Sequence, residues 1–420
     1  MYKIAIIGLG YIGLPLAIEF SKKYKVVAFD INIKRIKELQ NNYDITNEIS
    51  KEILKKSQNI IFDYKQTLLS DCNIYIIAVP TPVDKKNNPD LSFIKHSTKI
   101  IGKFLKKNDL VIYESTVYPG FTEEICIPIL EKTSKLSHNK DFFSGYSPER
   151  INPGDKKKNL SNITKITSGS NEATADFVDR LYKKIIKAGT HKVSSIKVAE
   201  SAKIIENMQR DVNIAFMNQL SFFFDKLGIN TYEVLKAAST KWNFVNFTPG
   251  LVGGHCVSVD PYYFIYKSKE ILVDPSLFSI ARKINNSVPY NIVKKITHKM
   301  KKNSISIKNS NILILGVSFK ENCNDLRNSL VFKIADILIK KKINVDMYDP
   351  IVFQRKLILE KKYHLIKKPN SNFYDVIFLA VNHNYFHKLG YKKICKYGNQ
   401  NHIFLDLYNS RLNKDIISLL

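Results

Sequence analysis

The apolar positions of this chain recur as short continuous runs separated by stretches with helical spacing. Lys3 to Gly8 is such a run, closed by Gly8-Leu9-Gly10-Tyr11-Ile12-Gly13. Leu14 to Tyr24 then places its apolar residues at helical intervals, and Lys25 to Asp30 is a second run. The succession predicts a strand, a helix and a parallel strand. Similar runs at Asn73 to Val79, Asp109 to Glu114 and Asp141 to Tyr146 alternate with helical stretches, as in a doubly wound parallel sheet.

Residues from about Ser195 to Lys226 read as one long helix, ending in the apolar run Leu220 to Phe224 before Gly228. A second strand-turn-helix pattern starts at Asn311 to Gly316. It continues with Asn344 to Asp349, Tyr374 to Val381 and His402 to Leu405. The polar stretch Lys299 to Ser310 reads as the linker into it. The expected architecture is α/β, with two doubly wound end domains joined by a long central helix and a helical central region. The expected divisions are 1–195, 196–298 and 311–420.

Composition changes this picture little. Of 420 residues, 44% are hydrophobic and 25% charged, an ordinary balance for a soluble protein with several cores. No apolar run reaches the roughly 18 residues that span a bilayer, and residues 1–20 lack the features of a leader, so a cytoplasmic protein without membrane insertion is expected. The five cysteines are scattered, with no C-x-x-C pair or His cluster, which predicts a reducing environment and no structural metal. The net charge of +27 comes mostly from Lys in short runs such as Lys156 to Lys158, Lys340 to Lys342 and Lys361-Lys362. Arg, the better reader of phosphates and bases, is scarce, so a solvated surface is expected rather than a nucleic-acid partner.

Several segments carry chemistry. In Gly8-x-Gly10-x-x-Gly13 the first glycine makes a tight turn, the second lets backbone approach a pyrophosphate, and the third packs helix on strand. Asp30 ends the following strand, where a carboxylate accepts a ribose 2′-hydroxyl and favours NAD over NADP; Arg35 weakens that preference slightly. Thr81 in Val79-Pro80-Thr81-Pro82, and Ser115 and Thr116 in Glu114 to Gly120, lie just past strand ends, where open α/β sheets bind ligands. Lys203, Asn207 and Arg210 fall on one face of the long helix, and a buried ammonium beside an amide can stabilise an oxyanion. Glu149, in Ser147-Pro148-Glu149-Arg150, supplies a carboxylate suited to general-base work.

Cys256 stands in a glycine-framed loop, Gly250 to Pro261, with Asp260 four residues downstream. An isolated cysteine is more often a small buried hydrophobe. Here the flanking glycines permit close approach of a ligand, and a thiol is a strong nucleophile towards carbonyl carbon once its proton is drawn off. A thiol nucleophile beside a hydride acceptor suggests oxidation through a thioester.

Taken in order, GLGYIG (8–13), VPTPV (79–83), ESTVYPG (114–120), SPERINPG (147–154), AESAKIIEN (199–207), GGHCVSVDP (253–261) and FKENCNDLRNS (319–329) resemble the UDP-glucose/GDP-mannose dehydrogenase family. The resemblance implies two Rossmann-like domains, NAD as cofactor, a nucleotide-sugar substrate and a homodimer or higher homo-oligomer built through the central region. It also implies roles by position. Cys256 is the catalytic thiol, Lys203 and Asn207 stabilise the oxyanion, Asp260 activates water, and Glu149 is the base for thioester hydrolysis. Thr116 holds a water, while Gly8, Gly10, Tyr11, Ile12, Gly13, Asp30, Arg35, Thr81, Ser115 and Arg327 serve the cofactor. Phe319 and Lys320 serve the substrate. Within the family the chain resembles the branch acting on UDP-N-acetylhexosamines, UDP-GlcNAc foremost, for capsule or O-antigen polysaccharide. Pro153 and Val259 stand where UDP-glucose enzymes carry Glu and Lys. Arg150 and Lys241 to Phe244 are the expected sugar-facing residues of this branch. The competing expectations are a UDP-GalNAc, UDP-ManNAc or UDP-glucose dehydrogenase, a one-hydride β-hydroxyacid dehydrogenase, and a non-catalytic nucleotide-binding regulator.

Overall fold

The computed structural model describes residues 2–151, 160–352, 362–408 and 417–420. Pro153, Lys156 to Lys158 and Lys361 lie outside the described residues. The chain divides into two compact units, one of residues 1–206 and 262–274, the other of 207–261 and 275–420.

The first unit holds an eight-stranded sheet ordered β3-β2-β1-β4-β5-β6-β7-β8. Its strands are β1 (Lys3–Ile7), β2 (Lys25–Phe29), β3 (Ile60–Asp63), β4 (Ile74–Ile77), β5 (Leu110–Tyr113), β6 (Phe143–Tyr146), β7 (Lys165–Gly169) and β8 (Thr190–Lys192). The apolar runs form strands because helices cover both faces of a parallel sheet, so side chains pointing either way are buried. Ile4, Ile6, Val26, Ala28, Ile74, Ile76 and Ile112 build one core with Leu14, Ala17 and Phe20 of the first helix, Gly13–Ser21. The sheet departs from the expected all-parallel form at one place, where β6 pairs with β7 antiparallel.

The second unit carries a six-stranded parallel sheet ordered β11-β10-β9-β12-β13-β14. These strands are β9 (Asn311–Leu315), β10 (Asn344–Tyr348), β11 (His364–Leu365), β12 (Tyr374–Leu379), β13 (Gly398–Asp406) and β14 (Ile417–Ser418). In both sheets the chain runs outward from the first strand, returns, and continues on its other side, which places a topological switch point beside β1 and beside β9.

The long helix spans Ile196–Leu227, within a residue of its expected bounds. A second long helix, Ser276–Lys302, absorbs Lys299 to Lys302, so the connector to β9 is shorter than expected and covers 303–310. Pro289 sits inside that helix and is buried, next to Val288 of the second unit's core. Among the described residues no helix is long and apolar enough to cross a membrane.

Candidate active site and dinucleotide cleft

The turn after β1 is built as its glycines demand. Gly8 has φ +93°, and a Cβ there would lie 2.9 Å from the Ala78 carbonyl oxygen. At Gly13 a Cβ would fall 1.8 Å from the Gly8 oxygen, so only glycine lets the helix start this close to the strand. Gly10 differs: a Cβ there would meet nothing within 4 Å. That open side faces a cavity of about 560 Å³ whose walls include Gly8, Gly10, Asp30, Val79 and Pro80. Half-buried Asp30 accepts hydrogen bonds from the Leu9 amide (2.8 Å) and the Asn32 amide (2.8 Å). A carboxylate with spare lone pairs at the wall of the cavity, and free space over Gly10, fit a ribose diol and a pyrophosphate. Tyr11 and Ile12, half-buried, complete the turn.

Arg35 also lines this cavity, and its guanidinium is held at two of its nitrogens. Nε donates to the Leu9 carbonyl at 2.9 Å and Nη2 pairs with Asp44 at 2.8 Å. Burial alone would raise the Asp44 carboxyl, yet hydrogen bonds from Thr46 and Ile49 and the charge of Arg35 bring it below its ordinary value. Arg35 therefore braces the glycine turn from the wall of the cavity.

Beyond β4 and β5 the strand-end residues are partly spent on holding one another. Ser115 Oγ donates to the Val79 carbonyl at 2.7 Å, and the Thr81 carbonyl accepts from Tyr263 Oη at 2.6 Å. Thr116 follows, half-buried. The Gly120 turn is fixed by Glu200 of the long helix, whose carboxylate accepts the amides of Gly120 (2.5 Å) and Thr122 (3.0 Å). Burial pushes the Glu200 carboxyl up to about 7. Glu149 follows β6 and is 5% exposed. One of its oxygens accepts the Arg150 amide at 2.6 Å and the Ile151 amide; the other lies 3.8 Å from the buried ammonium of Lys165. Lys165 itself pairs with Glu114, which Tyr182 Oη also binds. Arg150 donates to the Thr164 carbonyl (2.8 Å) and pairs with Glu206 (2.8 Å).

On the helix Ile196–Leu227 the expected polar stripe is cut short. Lys203 and Asn207, one turn apart, are both buried, whereas Arg210 is exposed. Asn207 donates its amide to Asp260 at 2.6 Å, and that carboxylate is 2% exposed. Cys256 is half-buried in the turn that leads into the helix Asp260–Glu270, and its carbonyl accepts the Asp260 amide at 2.8 Å. The thiol and the carboxylate thus leave one tight turn, with Asp260 oriented by Asn207.

That turn is gripped by residues 319–329. The Asn328 carbonyl and side-chain amide bond the Gly254 amide and carbonyl, at 3.4 and 3.0 Å. At Gly253 a Cβ would come within 2.6 Å of the Asn328 oxygen, and at Gly254 within 2.8 Å of the Phe319 ring. His255 Nε2 meets Asp325 at 2.8 Å, and Arg327 folds onto the same carboxylate at 2.8 Å. Burial would raise the Asp325 carboxyl, but the His255 and Arg327 contacts hold it well below the usual range. Lys320 lays its ammonium 5.5 Å from the Phe319 ring centre. At the other end of the loop Asn218 clamps Gly250 through both backbone groups, at 3.0 and 2.8 Å. Asn218, Asp325 and Asn328 hold the loop without any signal in the spacing, although Asp325 and Asn328 lie inside FKENCNDLRNS. Of the expected sugar-facing set, Lys241, Trp242 and Asn243 are exposed, Trp242 at 91%.

Comparison with known proteins covers the whole arrangement. Three domain models of the UDP-glucose/GDP-mannose dehydrogenase family match in order: the NAD binding domain at residues 2–186, the central domain at 197–287 and the UDP binding domain at 313–411. The chain is 49% identical over 405 residues to the UDP-N-acetyl-D-glucosamine 6-dehydrogenase of Pseudomonas aeruginosa, covering 96% of each chain. It is 46% identical to the protein of the same name from Salmonella typhi, over 96% of this chain and 95% of that one. The solved UDP-D-ManNAc dehydrogenase of Pyrococcus horikoshii superposes with a TM-score of 0.87 at 31% identity, covering 99% of this chain and 97% of that chain.

Proposed function

Because this chain belongs to the UDP-glucose/GDP-mannose dehydrogenase family, we propose that it oxidises the C6 hydroxyl of UDP-N-acetyl-D-glucosamine to the carboxylate, as an NAD-dependent 6-dehydrogenase. The observation that carries this reading is the Cys256 turn: a half-buried cysteine one turn before a buried carboxylate held by Asn207. A one-hydride dehydrogenase needs no such thiol. A regulator needs neither the thiol nor the oriented carboxylate. NAD supplies the hydride acceptor, two equivalents for each sugar.

The chain's own residues do the rest. Cys256 sulfur adds to the C6 aldehyde carbon and forms a thiohemiacetal, so the reactive aldehyde is captured on the protein between the two oxidations. Lys203 and Asn207 stabilise the oxygen that gains charge as the carbon becomes tetrahedral. Oxidation of the thiohemiacetal leaves a thioester. Glu149 takes a proton from the water that attacks it, the C–S bond breaks, and Cys256 recovers its thiol; Asp260 helps to activate that water.

We assign the dinucleotide to the division 1–195, the Cys256 loop and self-association to 196–298, and the UDP moiety to 311–420. Exposed apolar side chains on the long helix, among them Phe216 at 54% and Phe223 at 57%, support a homodimer or larger homo-oligomer. The product, a UDP-linked acidic amino sugar, suits capsule or O-antigen synthesis in the cytoplasm. A panel of nucleotide sugars scored by NADH release tests the substrate. UDP-GlcNAc should give the highest kcat/KM and two NADH per sugar. A tenfold preference for the galacto, manno or glucose analogue would overturn the assignment.

A further inference from the structure

The buried group behind Glu149 has no part in the scheme above, yet it gathers three ionisable side chains in the interior of the first unit. Lys165, on β7, has a side chain 3% exposed. Its ammonium donates to Glu114 at the end of β5 and, at 2.9 Å, to the carbonyl of Pro148, the residue just before Glu149. The same ammonium lies 3.8 Å from Glu149 Oε2. Oε2 is buried and has no hydrogen-bond partner among the described residues, while Oε1 is tied to the amides of Arg150 and Ile151. Tyr182, from the helix Glu172–Lys183, completes the set by donating to Glu114. Arg150, the neighbouring cation, is turned away towards Thr164 and Glu206.

We infer that Lys165, acting with Glu114, positions Glu149 and sets the pH range over which it accepts a proton from the hydrolytic water. The inference rests on the reading of Glu149 as the base for thioester hydrolysis. Its geometric part is direct: one ammonium holds the backbone on the N-terminal side of Glu149 and faces its open oxygen. Its electrostatic part follows from the charge count. Two carboxylates and one ammonium lie together, all buried, so whatever negative charge Glu114 carries is taken out of the attraction that Lys165 exerts on Glu149. Burial pushes the Glu114 carboxyl up to about 7, with Lys165 opposing and Glu149 adding to the rise. Lys165 and Tyr182 both donate to Glu114 and oppose that rise, so Glu114 competes for the ammonium wherever it is ionised.

The experiment is the decay of the Cys256 acyl-enzyme, trapped by acid quench and weighed by mass spectrometry after mixing enzyme with UDP-GlcNAc and NAD across the neutral pH range. Glu114→Gln keeps the shape of the pocket and removes a competing negative charge, so the acid limb of the hydrolysis rate should move to lower pH. Lys165→Met removes the cation and should move it to higher pH. Each shift should be of order one pH unit. Opposite shifts support the inference; limbs that stay put, or move together, overturn it, because a merely structural cluster would lower rates without moving the limb. If Lys165→Met does not fold, the isosteric Glu114→Gln decides alone. Glu149→Gln separates the two readings. If it hydrolyses the thioester like wild type, the base assignment falls and the inference with it. If it is slow while the other limbs are unmoved, only the inference falls.

Discussion

The turn after β1 and the turn after β9 start from the same backbone and end in opposite uses. In each, a glycine with positive φ, Gly8 at +93° and Gly316 at +81°, follows the strand. The amides of these glycines bond the last residue of the neighbouring strand, Gly8 to the Phe29 carbonyl and Gly316 to the Tyr348 carbonyl, both at 2.9 Å. A carboxylate one residue further on, Asp30 or Asp349, accepts the amide after the glycine, both at 2.8 Å. There the likeness stops. Asp30 is half-buried at the wall of a cavity, and the next glycine, Gly10, has open space above it. Asp349 is fully buried, accepts the Ser318 amide as well, and meets His383 Nε2 at 3.0 Å. Ser318 stands where the first turn has Gly10. The amides that would greet a phosphate are satisfied from within.

The second turn also delays its helix. After β1 the helix begins at Gly13, whereas after β9 it begins at Leu330. The intervening residues, Phe319 to Ser329, are the ones that grip the Cys256 turn. One copy of the architecture, matched by the NAD binding domain model, keeps the loop short beside an open cavity; the other lengthens the loop and grips the Cys256 turn. Loop length and one aspartate's burial separate the two roles.

Substitutions that cross the two turns sharpen this contrast. The largest effect is expected from Gly13→Ala, whose Cβ would strike the Gly8 carbonyl; NAD binding should be lost and stability reduced by about 3 kcal/mol or more, as calorimetry with and without NAD would show. Next comes the aspartate pair. Asp349→Asn should cost about 2–4 kcal/mol, since it strips a buried charge-assisted network, and leave the NAD Kd unchanged. Asp30→Asn should do the reverse, weakening NAD about tenfold or more with little change in Tm. Equal behaviour of the two variants would erase the distinction between an open and a closed turn.

A smaller effect is expected at Asp325. Its carboxyl is held below its unfolded value by His255 and Arg327. The stability it adds is therefore present above the unfolded carboxylate pKa and fades as pH falls through the folded one. Asp325→Asn should lose that acid-side dependence, which chemical denaturation as a function of pH would detect. It should also lower kcat severalfold by loosening the Cys256 turn, with the NAD Kd unmoved.

Much of this was legible in the sequence where the signal is local. The glycine spacing, Asp30, and the pair Cys256 and Asp260 are short-range patterns, and the long helix announces itself over nine turns of continuous spacing. The rest depends on partners far away in the chain. Asn207 meets Asp260 across 53 residues, His255 meets Asp325 across 70, and Lys165 meets Glu114 across 51. No periodicity encodes such meetings. The ion pair of Arg35 with Asp44 is likewise invisible to spacing, because Asp44 lies in an irregular turn. Arg210 shares a helix face with Lys203 and Asn207, yet solvent begins one turn beyond Asn207, which spacing alone does not reveal.

The central claim is that the sugar carbon is carried as an acyl group on Cys256 between the second oxidation and the release of product. Rapid quenching of the enzyme with UDP-GlcNAc and NAD, followed by digestion and mass analysis of the Cys256 peptide, reads this directly. The account predicts a transient adduct with the mass of the thioester on that cysteine alone, and no uronate from Cys256→Ala. Uronate formed by Cys256→Ala with two NADH per sugar would contradict it.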